Sequence, residues 1–184
     1  MIERLDVIGK VPPIFQHFVE SIWNAPADGH CGFHCVAKGL SIENPIKVLA
    51  DCLKYVCTNK KFLETIWAGK DAVDKVQRSL QPMANCSALK STELWFSKLD
   101  HGPLVANVYQ RPVAFIGPED QSHTCFPNSV PSPSTSNSNP PIYLLFTRGC
   151  HWELILVPQD KKVVIPLPPA LPGWTSQNQT SADV

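Results

Sequence analysis

Three short, apolar, β-prone runs all lie beyond Arg111: Val113 to Ile116, Ile142 to Thr147 and His151 to Val157. Gly117-Pro118 closes the first, and Arg148-Gly149-Cys150 makes a tight turn between the second and third, which predicts a hairpin of neighbouring strands. Ahead of them the apolar residues recur at helical spacing. Ile14 to Trp23 reads as one helix, with Val11-Pro12-Pro13 as its lead-in. A second starts at His30-Cys31 and stops at Gly39, and a third starts at Asn44-Pro45. Phe62 to Trp67, Ala72 to Leu80 and Leu104 to Tyr109 read as further helices, and His101-Gly102-Pro103 as a turn. Helices first and a small, largely antiparallel sheet after them make an α+β class.

The chain has 184 residues, which suits one compact domain. Lys+Arg and Asp+Glu both number 16, so the balance does not draw the protein to nucleic acid or an anionic membrane. No apolar run is long enough to cross a bilayer. MIERLDVIGK lacks the apolar stretch of a secretory signal, so an intracellular setting is expected. Seven cysteines at uneven spacing argue against a disulfide framework. Many of the 18 prolines fall in two late segments, which sets the expected boundaries. Residues 1–158 form the domain, with a solvated loop at about 118–141, and 159–184 form a proline-rich extension and tail. Val163-Val164-Ile165 is a candidate edge strand.

The chemistry concentrates at Asp28-Gly29-His30-Cys31. A glycine-bearing turn leads into a helix, and Cys31 sits at the junction. Unpaired N–H groups and a partial positive charge at a helix start favour thiolate over thiol. N–H groups from Gly29 to Cys31 offer donors for an oxyanion. A thiolate nucleophile needs a base, and six histidines compete: His17, His30, His34, His101, His123 and His151. His151 starts a strand after a tight turn, and a rigid element holds a base best. Glu153 emerges on the same strand face and is the first choice to orient the ring, with Asp28 as competitor.

DGHCGFHCVA resembles the Asp-Gly-x-Cys-x-Phe/Tyr-Arg-Ala block of OTU-type cysteine proteases. ELWFSKLDHGPLVANVYQRPVAFI resembles that family's Trp block, helix and core strand, and TRGCHWELILV its His-aromatic strand. VPPIFQHFVESI and VVIPLPPALPGW resemble the flanks of transposon-associated OTU domains. The resemblance implies a papain-like OTU fold, its small sheet packed between helices. It also implies cleavage of isopeptide or peptide bonds after the C-terminal Gly-Gly of ubiquitin or a ubiquitin-like modifier. Ubiquitin, polyubiquitin and ubiquitinated proteins are the implied partners, of a monomer that needs no metal or cofactor. Cys31 is then the nucleophile and His151 the base, Asp28 supports the loop, and Gly29, His30 and Trp152 line the oxyanion and substrate site. His34 and Cys35 stand where Arg and Ala or Ser are usual, and Glu153 where many members carry Asp or Asn.

Two rival readings compete with an enzyme. His30, Cys31, His34 and Cys35 form H-C-x-x-H-C, and Cys150-His151 adds two more zinc-capable ligands, which suits a structural zinc domain. A ubiquitin-binding module with weak or no catalysis is the other. Trp23, Trp67, Trp95 and Trp174 read as packing residues, and Cys52, Cys57, Cys86, Cys125 and Cys150 as structural or incidental.

Overall fold

The computed structural model describes residues 9–81, 92–117, 121–127, 140–158 and 165–171. Among the described residues five strands form one sheet: β1 (Ser21–Asn24), β2 (Val113–Ile116), β3 (His123–Cys125), β4 (Ile142–Thr147) and β5 (His151–Leu156). Their spatial order is β1-β5-β4-β2-β3. Of these strand pairs β2 and β4 run parallel and the other three antiparallel, so the sheet is largely antiparallel. The helices are α1 (Pro13–Gln16), α2 (Cys31–Gly39), α3 (Pro45–Thr58), α4 (Lys60–Ile66), α5 (Lys70–Ser79) and α6 (His101–Tyr109). This is the expected α+β architecture.

The β4–β5 hairpin turns through Arg148 and Gly149, both at positive φ (54° and 72°), where glycine is at ease. Its register places Thr147 opposite His151. Alternate residues of each strand feed two cores. Val113, Phe115, Ile142, Leu144, Trp152 and Leu154 meet the helices. Ala114, Ile116, Tyr143, Leu145 and Ile155 face the opposite way, toward Val11, Phe15, Ile165 and Leu167. One face of the sheet thus carries the helical layer, and the other is covered by the short α1 and the extended C-terminal segment.

Three sequence expectations change. The helix expected over Ile14 to Trp23 is only the four residues of α1, and Ser21–Asn24 is a strand. Apolar residues at 18, 19, 22 and 23 fit both periods. The open edge of β5 decides, pairing Ile22 with Ile155 and sending Trp23 and Ile22 to opposite faces. His101-Gly102-Pro103, expected as a turn, is the first turn of α6, where proline costs no helical bond. The loop expected at about 118–141 contains β3, whose Thr124 and Cys125 are buried.

The proline segment also docks. Pro169 O accepts from Thr124 N–H (2.8 Å), Leu171 N–H donates to Thr124 O (2.9 Å), and Thr124 Oγ1 donates to Pro168 O (2.8 Å). A proline-bearing strip thereby covers the sheet's outer strand, which blunts an edge prone to pairing with other chains. Val163, Val164, Cys86 and Trp174 lie outside the described residues.

His101 is a core residue with a visible consequence. Its Nδ1 accepts from Ser97 N–H (2.8 Å), so Nε2–H donates to Ser79 Oγ (2.8 Å), which donates to Val76 O (2.7 Å). Burial pushes its pKa from 6.5 down to about 3. The unfolded chain therefore binds a proton that the folded chain refuses. Stability from this group is complete above pH 6.5 and falls as pH drops toward 3. Urea midpoints measured between pH 6 and 4 should show wild type losing about 1.4 kcal/mol per pH unit more than His101→Gln.

Candidate active site

Cys31 is the first residue of α2, and His30 caps that helix without a side-chain bond. The turn before it is built by Asp28 and Gly29. Gly29 adopts φ 87°, and Asp28 Oδ1 accepts the His30 N–H at 2.8 Å. Gly32 lets the chain pass close to Phe96, because a Cβ there would overlap the Phe96 ring. Phe33, fully buried, meets Phe96 edge-on at 5.0 Å and anchors the helix from below. The sequence thus places a cysteine at the end of a rigid, well-packed helix.

The helix start does not by itself yield a thiolate. Cys31 is 6% exposed, and burial pushes its thiol upward. The backbone N–H groups of Trp152 and Gly32 pull the other way but are outweighed. Desolvation of the charged sulfur is the larger effect, so the expected bias of the helix start toward thiolate is overridden. Chemistry at this sulfur requires a base.

His151, at the first position of β5, is an imidazole placed beside that sulfur's cavity. It is buried, and it lines the same cavity as Cys31, about 490 Å³ in volume, together with Asn24, Gly29, Trp95 and Arg148. Its Nε2 lies 2.9 Å from Asn24 Oδ1. An amide oxygen only accepts, so Nε2 carries the hydrogen and Nδ1 keeps its lone pair. The β1–β5 register produces this bond. Asn24 sits opposite Glu153, two residues from His151, so both side chains share one sheet face.

Asn24 is the residue that reading the sequence missed. It stood at the start of an apparent turn, and its bond to His151 depends on β1 being a strand.

The other expected residues fall elsewhere. Asp28 does not reach His151: its Oδ2 bonds His34 Nε2 at 2.8 Å while Oδ1 holds the His30 N–H. Partial burial works against the Asp28 charge, but those two bonds win and hold its carboxyl below the usual range. Glu153 does share the face of His151, yet it is 2% exposed, and its Oε2 has no hydrogen-bond partner among the described residues. The bond that Glu153 was expected to make to the His151 ring is made by Asn24 instead. Trp152 points into the helical core rather than the cavity. Its Nε1 donates to Phe96 O (3.0 Å), and its ring packs edge-on against Phe96 and Phe115. His30 contributes no free backbone donor, since Asp28 takes its N–H. Gly29 and Cys31 supply the remaining N–H groups of that turn.

The H-C-x-x-H-C residues also part company. Cys35 is buried, and its thiol donates to Trp152 O (3.4 Å) while burial raises its pKa. His34 is occupied by Asp28. Among the described residues no group of three or more His, Cys, Asp or Glu gathers around a point suited to a metal. The six cysteines among them are all free thiols.

No family model matches the sequence, and no curated protein matches it. Among solved structures, the chain is similar to the crystal structure of an OTU deubiquitinase from Wolbachia pipientis wMel bound to ubiquitin. The identity is 16% and the TM-score 0.49, over 74% of this chain and 95% of that one.

Proposed function

We propose that the protein is a cysteine-type deubiquitinase that cleaves isopeptide or peptide bonds after the C-terminal Gly-Gly of ubiquitin or a ubiquitin-like modifier. The observation that carries this reading is the His151–Asn24 bond, in the wall of the cavity that Cys31 also lines. It leaves His151 with one nitrogen fixed and the other free to take a proton. The blocks around Cys31 and His151 that resemble OTU proteases supply the substrate class.

The steps follow from the groups present. His151 Nδ1 takes the Cys31 proton as the sulfur attacks the carbonyl carbon. The developing oxyanion meets the N–H groups of Gly29 and Cys31. The imidazolium, held by Asn24, returns its proton to the departing lysine amine. Water, with its proton taken by the same nitrogen, then cleaves the thioester and frees the modifier's carboxylate. All the named residues belong to one chain, so a monomer suffices.

Ubiquitin carrying a fluorogenic amide at its C-terminus tests this. The expected result is release of the fluorophore, lost in Cys31→Ala. Saturable binding of ubiquitin without release would instead establish the non-catalytic ubiquitin-binding module. Absence of both binding and release, for ubiquitin and for ubiquitin-like modifiers, would sink the reading.

A further inference from the structure

Asp28 and His34 form a clamp across the turn that precedes Cys31. His34 lies one turn into α2 and is tied to the preceding turn twice. Its backbone N–H donates to His30 O at 3.0 Å, and its Nε2–H donates to Asp28 Oδ2 at 2.8 Å. The second oxygen of the same carboxylate holds the His30 N–H at 2.8 Å. One carboxylate thus joins the helix that carries Cys31 to the turn whose Gly29 lines the cavity.

The pair is half-buried, with side-chain exposures of 19% for His34 and 33% for Asp28. Gly29, at φ 87°, is the soft point between them. Glycine there lets the turn form, and it also leaves the turn free to move unless something fixes both sides. The clamp fixes both.

We infer that His34 is a positioning residue: acting through Asp28, it withdraws the His30 N–H and holds the Gly29 and Cys31 N–H groups where the oxyanion forms. This rests on the proposed thioester chemistry and deepens it. His34 touches neither substrate nor sulfur in this role. Its contribution is confined to acyl transfer, because simple alkylation of a thiol develops no oxyanion. A donor lost here misplaces the turn, and displacements of about 1 Å in such sites cost up to about 100-fold in rate.

The test compares His34→Leu, which removes the donor, with His34→Gln, which restores an N–H at similar reach. Asp28→Asn keeps an acceptor for His30 but presents an amide N–H to His34. Three readouts are needed: kcat and KM on the ubiquitin C-terminal amide, the rate of iodoacetamide labelling at Cys31 followed by peptide mass spectrometry, and the melting temperature. The expected pattern for His34→Leu and Asp28→Asn is a fall in kcat of about 10- to 100-fold. KM, Cys31 labelling and melting temperature should stay near wild type, and His34→Gln should recover most of the turnover. Wild-type kcat in His34→Leu overturns the inference. So does a parallel loss of turnover, labelling and melting temperature that glutamine does not recover, because that pattern is structural alone. If wild type itself labels at Cys31 but hydrolyses no ubiquitin or ubiquitin-like amide, the enzyme reading has failed and the inference falls with it.

Discussion

Replacing His151 with alanine is expected to lower kcat on a ubiquitin C-terminal amide about a thousandfold. The size follows from the state of Cys31. Burial raises its thiol, so the resting sulfur holds its proton and little thiolate exists at neutral pH without help. The N–H groups of Trp152 and Gly32 only soften that cost. His151→Ala should therefore also slow iodoacetamide labelling of Cys31, which a preformed thiolate would not show. His151 is the first residue of β5, and the strand's ladder to β1 and β4 is made by backbone groups. The melting temperature should accordingly change little. Equal labelling rates in wild type and His151→Ala would mean that another group, or the helix start alone, ionises the sulfur.

The second large effect is expected at Asn24. Asn24→Ala removes the acceptor that holds His151 Nε2–H at 2.9 Å and should lower kcat about 10- to 100-fold. Asn24 is exposed at a strand end, so little packing is lost. Asn24→Asp keeps an oxygen acceptor at the same reach and should retain most of the turnover that Asn24→Ala loses. Glu153 provides the contrast. It is buried, and Oε2 has no partner among the described residues. Glu153→Gln should act on stability, through how that face of the sheet is satisfied, rather than on turnover. A loss of kcat in Glu153→Gln as large as that in Asn24→Ala, at unchanged melting temperature, would return the orienting role to Glu153.

The settings of Cys31 and His151 were legible in the sequence because each sits in a local pattern. Cys31 follows a glycine turn and begins a helix, and His151 begins a strand after a tight turn. The β4–β5 hairpin was legible for the same reason, since its two runs and their turn are contiguous. Asn24 was not legible, because its partner is 127 residues away and its strand exists only by pairing with β5. The helical spacing of Phe18, Val19, Ile22 and Trp23 pointed to the competing structure. Strand β3 escaped for a related reason. Three residues in a polar stretch carry no periodicity, and Thr124 owes its place to neighbours on both sides, Ala114 in β2 and the docked Pro168 to Leu171.

The supporting residues divide along the same line. The same-face relation of Glu153 and His151 follows from strand geometry alone and holds in the structure. Whether a side chain on that face turns toward the ring depends on what surrounds it, and the Asn24 amide is the group that does. Asp28 was a reasonable competitor by proximity to Cys31 in sequence, but His34 captures its second oxygen. The upward shift of Cys31 was likewise hidden, because its desolvation comes from burial in a core gathered from elements far apart in sequence.

The most direct measurement is intact-protein mass spectrometry after incubation with ubiquitin bearing a C-terminal electrophile, followed by peptide mapping of the adduct. The predicted result is a single covalent adduct on Cys31 that disappears in Cys31→Ala. An adduct that persists in Cys31→Ala, or none with ubiquitin and ubiquitin-like probes alike, would contradict the assignment of Cys31 as the nucleophile of a deubiquitinase.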